Sequence, residues 1–253
     1  MDLPVIHHIP HASTFIPEEY LNTYLISPEE LEAEKLKLTD LYTDELYQLP
    51  GAMRAEFPVS RFFTDAERFS DDALESMAAR GMGALYTVTT DLKPLRALPD
   101  ARTREDILQK FYWPHHKALD DVAGRMLESH GKCLLIDCHS YPSKPLPYEL
   151  ENRTLPRPQI GIGTDSFHTP DHLGALVVKA FEDLGYETGL NVPFAGSLVP
   201  SAFYGKNPSV MSFMIEIRKD LYMDEATGAR AAGFERLRAD LTSVMSLAAK
   251  AVL

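Results

Sequence analysis

Cysteine is nearly absent from this 253-residue chain: Cys133 and Cys138 are the only two. They lie along one apolar run, and at ~3.3 Å per residue of extended chain their α-carbons are too far apart to bridge. That excludes a disulfide framework and leads us to expect reduced thiols and a cytoplasmic location. An excess of positive charge is also missing. Lys and Arg number 25 against 37 Asp and Glu, a formal net charge of −12, which excludes a nucleic-acid partner because phosphate binding needs a basic face. No apolar run approaches the ~18 residues that span a bilayer, so no membrane partner is expected. Met1-Asp2-Leu3-Pro4 lacks the basic-then-apolar order of a signal peptide. Neither repeats nor heptads nor charge blocks are visible, which gives a structural or interaction role little support. No His-Glu-x-x-His occurs, so the usual helical zinc-protease pattern is excluded.

What is present suits an enzyme core. At 45% hydrophobic, residues 1–253 can form one α/β domain around a sizeable interior. Leu3–Ile9 and Cys133–Asp137 read as buried strands. Further strands are expected at Ala55–Ser60, Ala84–Thr89, Ile160–Gly163 and Met211–Ile217. Ser27-Pro28-Glu29-Glu30 caps a helix expected to run to about Leu49, where Pro50-Gly51 stops it. Thr103-Arg104-Glu105-Asp106 opens another helix with a capping-box-like pattern, interrupted at Pro114. A third helix runs to Ser129 with Gly131 at its end, a fourth follows Thr169-Pro170-Asp171, and a fifth covers Gly233–Leu253. The proline-rich stretch from Tyr141 to Arg157 reads as a long loop, the kind that often serves function.

The residues that could do chemistry gather at strand ends. His11 follows the first strand, and Asp137-Cys138-His139-Ser140 follows the buried run Cys133–Ile136. In α/β sheets reacting groups collect at that edge, so two histidines in matching positions suggest two arms of one metal site. A hydrolytic zinc site takes a third protein ligand and keeps one position open. Asp40 and Asp44, one helical turn apart, are the candidate carboxylates; their alternative is a solvated acidic face. Glu216 is the lone acid in an apolar strand, where a carboxylate must be paired, metal-bound or raised in pKa for proton transfer. An ion pair with Arg218, two residues on, is the competing reading. Arg61 and Arg68, among Phe62, Asp65 and Glu67, suit bidentate binding of an anionic substrate, or form a mixed-charge surface. His115 and His116 open a helix and point about 100° apart, so at most one is expected to face a common site.

These motifs, read in order, resemble the N-formylglutamate amidohydrolases. The resemblance spans roughly Ile6 to Glu225. It rests on Ile9-Pro10-His11-Ala12-Ser13, Thr39-Asp40 with Leu46-Tyr47, and Ser60-Arg61 with Asp65 and Arg68. Tyr112-Trp113 with His116, Asp137-Cys138-His139-Ser140 and Ile162-Gly163-Thr164 continue it. Phe194-Ala195-Gly196 with Tyr204-Gly205 and Glu216-Ile217 with Tyr222-Met223-Asp224-Glu225 complete it. The chain departs from the family at Glu67, where Asn is common, at Ala12, where Gly is frequent, and in a shorter Phe-Gly segment; the departures are expected near the substrate pocket and away from the metal.

The resemblance implies a three-layer α/β sandwich around a mixed sheet, related to zinc carboxypeptidases and aspartoacylase. It implies hydrolysis of an N-formyl or small N-acyl amide of an acidic amino acid, foremost N-formyl-L-glutamate, in histidine breakdown. Under it, one zinc ion is held by His11, Asp40 and His139, with Asp44 in reserve for Asp40. Glu216 shuttles the proton and His116 or Arg61 steadies the oxyanion. Arg61 and Arg68 clamp the substrate carboxylates, assisted by Tyr204 or Arg218, and Asp137 orients a ligand histidine. The rival readings are a carboxypeptidase-like or peptidoglycan-amidase-like hydrolase of larger amides, and a binding domain that has kept the fold without catalysis.

Overall fold

A computed structural model describes residues 3–149 and 153–252. Six strands form one mixed sheet in the order β2-β1-β3-β6-β4-β5. The strands are β1 (Val5–Ile9), β2 (Met53–Glu56), β3 (Cys133–Tyr141), β4 (Ile160–Thr164), β5 (Thr188–Leu190) and β6 (Val210–Arg218). β2, β1, β3 and β6 run parallel, and β4 turns the sheet antiparallel at β6. The helices are α1 (Pro28–Leu38), α2 (Thr43–Leu46), α3 (Ala101–Ile107), α4 (Trp113–His130), α5 (Asp171–Asp183) and α6 (Phe234–Val252). No helix among the described residues is long and apolar enough to cross a membrane.

Strand alternation sorts the two faces. Leu134, Ile136 and Cys138 of β3 and Phe213, Ile215 and Ile217 of β6 point to the side covered by α5 and α6, where Val177, Phe181, Leu241 and Met245 meet them. The opposite face is covered over its first half by α4, whose Leu119, Ala123 and Met126 pack on Ile6, Cys133 and Leu135. Farther along the same strands that second face carries His8, Asp137, His139, Ser212 and Glu216 instead. A third apolar cluster, with Phe57, Phe62, Phe63, Tyr86 and Leu95, stands apart from both sheet faces. All nine residues of β3 are buried.

Several elements differ from the sequence expectation. The helix begun at Ser27 has the reciprocal capping box with Glu30, but it ends at Leu38, not Leu49. Thr39 turns extended, Tyr42 takes a left-handed φ of 68°, and a separate short helix follows. The cause is tertiary: the buried ammonium of Lys219 donates to the carbonyls of Lys37 at 2.9 Å and Thr39 at 2.7 Å, fixing the chain where the helix would have continued. The expected strand at 84–89 is instead a buried irregular segment, its carbonyls and amides satisfied by Asp65, Gly81 and Leu95. The strand expected at 55–60 is Met53–Glu56. α3 is capped by Asp100, which accepts from the Thr103 amide, rather than by Thr103. Pro114 does not stop the helix; it sits in the first turn of α4, which follows directly on a π-helical turn at Leu108–Tyr112. Both cysteines lie buried and free in β3.

Two consequences for stability follow from buried groups. Replacing Lys219 with Met takes the donor from the buried Thr39 carbonyl and the part-buried Lys37 carbonyl and should cost roughly 2–5 kcal/mol in urea unfolding; a loss below about 1 kcal/mol would show that the 37–39 turn does not need the ammonium. His7 is fully buried in β1 with neither ring nitrogen hydrogen-bonded, and burial pulls its pKa down to about 4. The folded state therefore binds this proton less readily than the unfolded chain. Stability is present above the unfolded value near 6.5 and is lost as pH falls toward 4. His7→Leu should remove on the order of 3 kcal/mol of that acid-linked loss, measured as the difference between urea unfolding at pH 7 and pH 4.

Candidate metal and substrate site

The half-face left open by α4 forms the floor of a cavity of about 650 Å³ at the carboxyl ends of β1, β3 and β6. The parallel register places His8 beside Asp137 and His139 beside Glu216. His11 arrives in the turn after β1, and its carbonyl accepts from the Asp40 amide at 2.9 Å, which ties the 39–40 turn to the same rim. The imidazoles of His11 and His139 lie 5.1 Å apart, centroid to centroid.

Buried carboxylates orient these rings. Asp65 Oδ1 stands 2.8 Å from His11 Nε2. A carboxylate only accepts, so Nε2 carries the proton and Nδ1 presents its lone pair. That Nδ1 is buried without a hydrogen-bond partner. Asp65 is itself held by Arg61 Nη2 at 3.2 Å, by the Tyr86 hydroxyl and by the Glu67 amide at 2.9 Å. In His139, Nε2 lies 3.1 Å from Asp137 Oδ1 and 3.1 Å from Glu67 Oε2, while Nδ1 is 3.3 Å from Asp40 Oδ2. Asp40 Oδ2 is also 3.7 Å from His11 Nδ1, and Asp40 Oδ1 has no partner. His11, Glu67 and His139 each offer a donor atom within 4.8 Å of the other two. Two carboxylates, Asp40 and Glu67, therefore reach the histidine pair. Glu67, expected at the substrate pocket and away from the candidate metal ligands, lies against His11 and His139.

Charge compensation sets the protonation states. Burial would raise Asp40, but the neighbouring imidazoles of His11 and His139 hold it well below the usual carboxylate range. Burial likewise opposes Asp137 and Asp65, and the former is outweighed by His139, the latter by His11 and Arg61. His139 loses water, yet the carboxylates of Glu67 and Asp137 keep it well above the ordinary histidine value. Glu216 goes the other way: burial, with Asp40 and Glu67 adding and His139 opposing, pushes it up to about 8. Its Oε2 has no hydrogen-bond partner.

The remaining expected residues divide. Arg61 and Arg68 line the cavity, and Arg68 Nε is buried without a partner. Arg61 spends its Nε on Tyr86 and Nη2 on Asp65, leaving only a 3.5 Å contact from Nη1 to the Leu38 carbonyl. Tyr204 stands at the rim, 58% exposed. His116 lines the cavity, but its Nε2 is 2.9 Å from the Ala66 carbonyl and so must donate there. Its neighbour His115 turns inward, with Nε2 2.9 Å from His8 Nε2; one histidine lies on the cavity wall and the other behind it. Arg218 lies outside, pairing with Asp220 at 2.8 Å and donating to the Arg157 carbonyl, so it neither neutralises Glu216 nor reaches the cavity. Asp44 sits on α2 and does not line the cavity, which leaves Asp40 as the carboxylate of that pair within reach. Sequence reasoning missed His8, Glu67 as a member of the cluster, Asp65 as a histidine partner, and Arg80 on the wall. Two adjacent histidines inside a five-residue apolar strand were the available signal for His8.

Comparison with known proteins gives the family and the fold. Residues 3–223 match the family described as N-formylglutamate amidohydrolase. A crystal structure of an N-formylglutamate amidohydrolase from Ralstonia eutropha JMP134 superposes with a TM-score of 0.84 at 25% identity, covering 99% of this chain and 94% of that one. A protein of Agrobacterium tumefaciens shares the fold with a TM-score of 0.68 at 17% identity, covering 99% and 92%. No curated protein sequence matches the chain. A family match that runs from the first strand to Met223, across every residue that floors the cavity, makes this chain a member of the N-formylglutamate amidohydrolase family and thus an amidohydrolase.

Proposed function

We propose that the chain is a divalent-metal-dependent hydrolase of the N-formyl amide of an acidic amino acid, with N-formyl-L-glutamate and water giving L-glutamate and formate. The observation that carries the reading is a coincidence of unsatisfied atoms. His11 Nδ1, Asp40 Oδ1, Glu216 Oε2 and Arg68 Nε are all buried without a hydrogen-bond partner, and all four residues line the same cavity. Buried polar atoms are normally satisfied, so a cluster of orphans at one place marks where a ligand belongs.

His11, Glu67 and His139 form a group whose donor atoms lie within 4.8 Å of one another, and Asp40 offers a second carboxylate to the same two rings. His11 and Asp40 with His139 supply two nitrogens and one oxygen, the hydrolytic zinc complement. Ligands about 2.1 Å from a tetrahedral ion stand about 3.4 Å apart, close to the 3.3 and 3.7 Å between Asp40 Oδ2 and the two Nδ1 atoms. In that arrangement each ring keeps its Nε2 on a carboxylate, Asp65 or Asp137, the outer pairing that fixes a ligand histidine's tautomer. Glu67 faces His139 through the nitrogen that Asp137 already occupies, which favours Asp40 as the third ligand. When bound, the ion supplies Lewis acidity toward the formyl carbonyl and a nucleophilic water near neutral pH.

The chain's own groups account for the rest. Glu216, paired with His139 in the β3–β6 register, would take the attacking water's proton and deliver it to the leaving amine. Arg68, with the free edge of Arg61 and with Tyr204 at the rim, holds the substrate carboxylates. Arg61 also steadies Asp65. His116, whose Nε2 proton is committed to Ala66, has only a lone pair left to offer. It is therefore no oxyanion donor and instead holds the Ala66 backbone. A cytoplasmic role in amino-acid breakdown accompanies this reading as an expectation.

Formate release from N-formyl-L-glutamate, set beside metal analysis, tests the whole. Glu216→Gln should lower kcat by ~10²–10⁴ with metal content unchanged; loss of metal would make Glu216 a ligand. Asp40→Asn should deplete the ion far more than Glu67→Gln does, and the reverse order would exchange the two assignments. Asp65→Asn should weaken metal affinity ~10–100-fold in a competitive chelator titration, with the fold intact by circular dichroism.

A further inference from the structure

The cavity has two unlike walls, and the sheet order sets them on opposite sides of the β3–β6 pair that carries His139 and Glu216. β1 borders β3 on one side, while β6 and then β4 border it on the other. The wall on the β1 side is basic. Asp65, which meets His11, is paired with Arg61, and Arg68 and Arg80 of the same stretch of chain also line the cavity. On the β6 side stands the segment 194–204, which contains no charged residue. It is fastened there by Ser197 Oγ on Ser212 Oγ of β6, and by the Leu198 amide, which donates to Asp137 Oδ2 at 2.8 Å. Phe194, Ala195, Leu198 and Val199 of this segment line the cavity, joined by Met214 of β6.

N-formyl-L-glutamate makes no use of the uncharged wall. Its two carboxylates take up the arginines, and its formyl group presents only a hydrogen on the far side of the carbonyl. The cavity of about 650 Å³ is nevertheless in the range that encloses a drug-sized ligand. Backbone geometry keeps the space clear. A Cβ on Gly163 of β4 would fall inside contact distance of the Gly196 carbonyl oxygen and 2.5 Å from Met214 Cε, so glycine is what lets the segment lie this close to the sheet. Gly196 lines the cavity with a φ of +90°, and a Cβ there would meet nothing within 4 Å. Polar groups at the base of the wall are already spent. Ser197 donates to Ser212, which donates on to the Leu198 carbonyl at 2.6 Å.

Resting on the amide-hydrolase reading above, we infer that the chain also hydrolyses N-acyl-L-glutamates whose acyl group is an apolar chain of several carbons, seated on the 194–204 wall. A planar amide directs its acyl substituent and its nitrogen substituent away from each other. With the carbonyl over His139 and Glu216, the glutamate moiety turns to the arginines and the acyl chain to Phe194, Leu198 and Val199. Water adds to the acyl carbon, the C–N bond breaks, and one proton passes to the leaving amine. The products are a fatty carboxylate and L-glutamate. Each methylene laid on this wall leaves water for an apolar surface, which favours the longer chain.

Release of L-glutamate by the full chain from its N-formyl, N-acetyl, N-propanoyl and N-butanoyl derivatives tests this. Formamides are intrinsically more reactive than other amides, so the series is read from acetyl upward. We expect kcat/KM to rise about fourfold per added methylene. Phe194→Ala, which removes the phenyl ring from the wall, and Ala195→Trp, at an exposed position where a large side chain narrows the cavity, should each flatten that rise. Both should change turnover of N-formyl-L-glutamate by less than one methylene's worth. A flat or falling series in a chain that cleaves N-formyl-L-glutamate overturns the acyl subsite and leaves the deformylation reading standing. A rise that persists undiminished in both variants overturns it as well, because the gain would then come from elsewhere. Failure to cleave any of the four removes both proposals together.

Discussion

Carboxylates that give up water must receive N–H groups, protons or cations in exchange, and the polar half of this molecule is built around that requirement. Asp40, Asp65 and Asp137 are 1%, 0% and 2% exposed. Asp65 and Asp137 are satisfied by imidazoles, a guanidinium and backbone amides and orient the rings they meet, whereas Asp40 meets His139 through Oδ2 and keeps Oδ1 without a partner. Asp65 decides the tautomer of His11. Asp137 links β3 to His8 and, through Oδ2, to the Leu198 amide on the cavity wall at 2.8 Å. The histidines are therefore oriented before any ligand arrives, which is what a site for a metal or a developing charge needs.

The sheet supplies the second condition, a floor that changes character along its length. On the α4 side the first residues of β1, β3 and β6 are apolar and covered, and the last are polar and open to the cavity. The change needs no new element; it follows from continuing the same alternation past the end of helical cover. The start of α4 completes the join, where His115 reaches down to His8 and His116 reaches across to the backbone before Glu67. Burial of this start, with Leu119 and Ala123 in the apolar contact, keeps both histidines in place.

How much of this could be read from the chain differs residue by residue. His11 and His139 could be paired in advance because each leaves a buried strand at its carboxyl end, and parallel strands deliver such residues to one edge. Glu216 stood out as a single acid in an apolar run, and the competing reading, an ion pair with Arg218, does not form because Arg218 pairs with Asp220. Glu67 and Asp65 gave no such warning. Beside two arginines they read as mixed surface charge, and only the packing of Phe62 and Phe63 into their own apolar cluster draws that segment inward. The break after Leu38 was equally hidden, since the ammonium that enforces it comes from Lys219, far along the chain.

By itself the sequence determined the quantities that depend on local pattern: which runs alternate or repeat at helical spacing, where caps and glycines end them, and which strand ends carry an imidazole or an isolated acid. Tertiary structure alone decided which carboxylate meets which ring nitrogen, which arginine is spent on Asp65 and which faces the cavity, and that His8 joins the cluster. The physical reason is that local pattern acts over a few residues of backbone, whereas the pairing of buried charges is settled by whatever groups the sheet register and the loops bring within about 3 Å of each other.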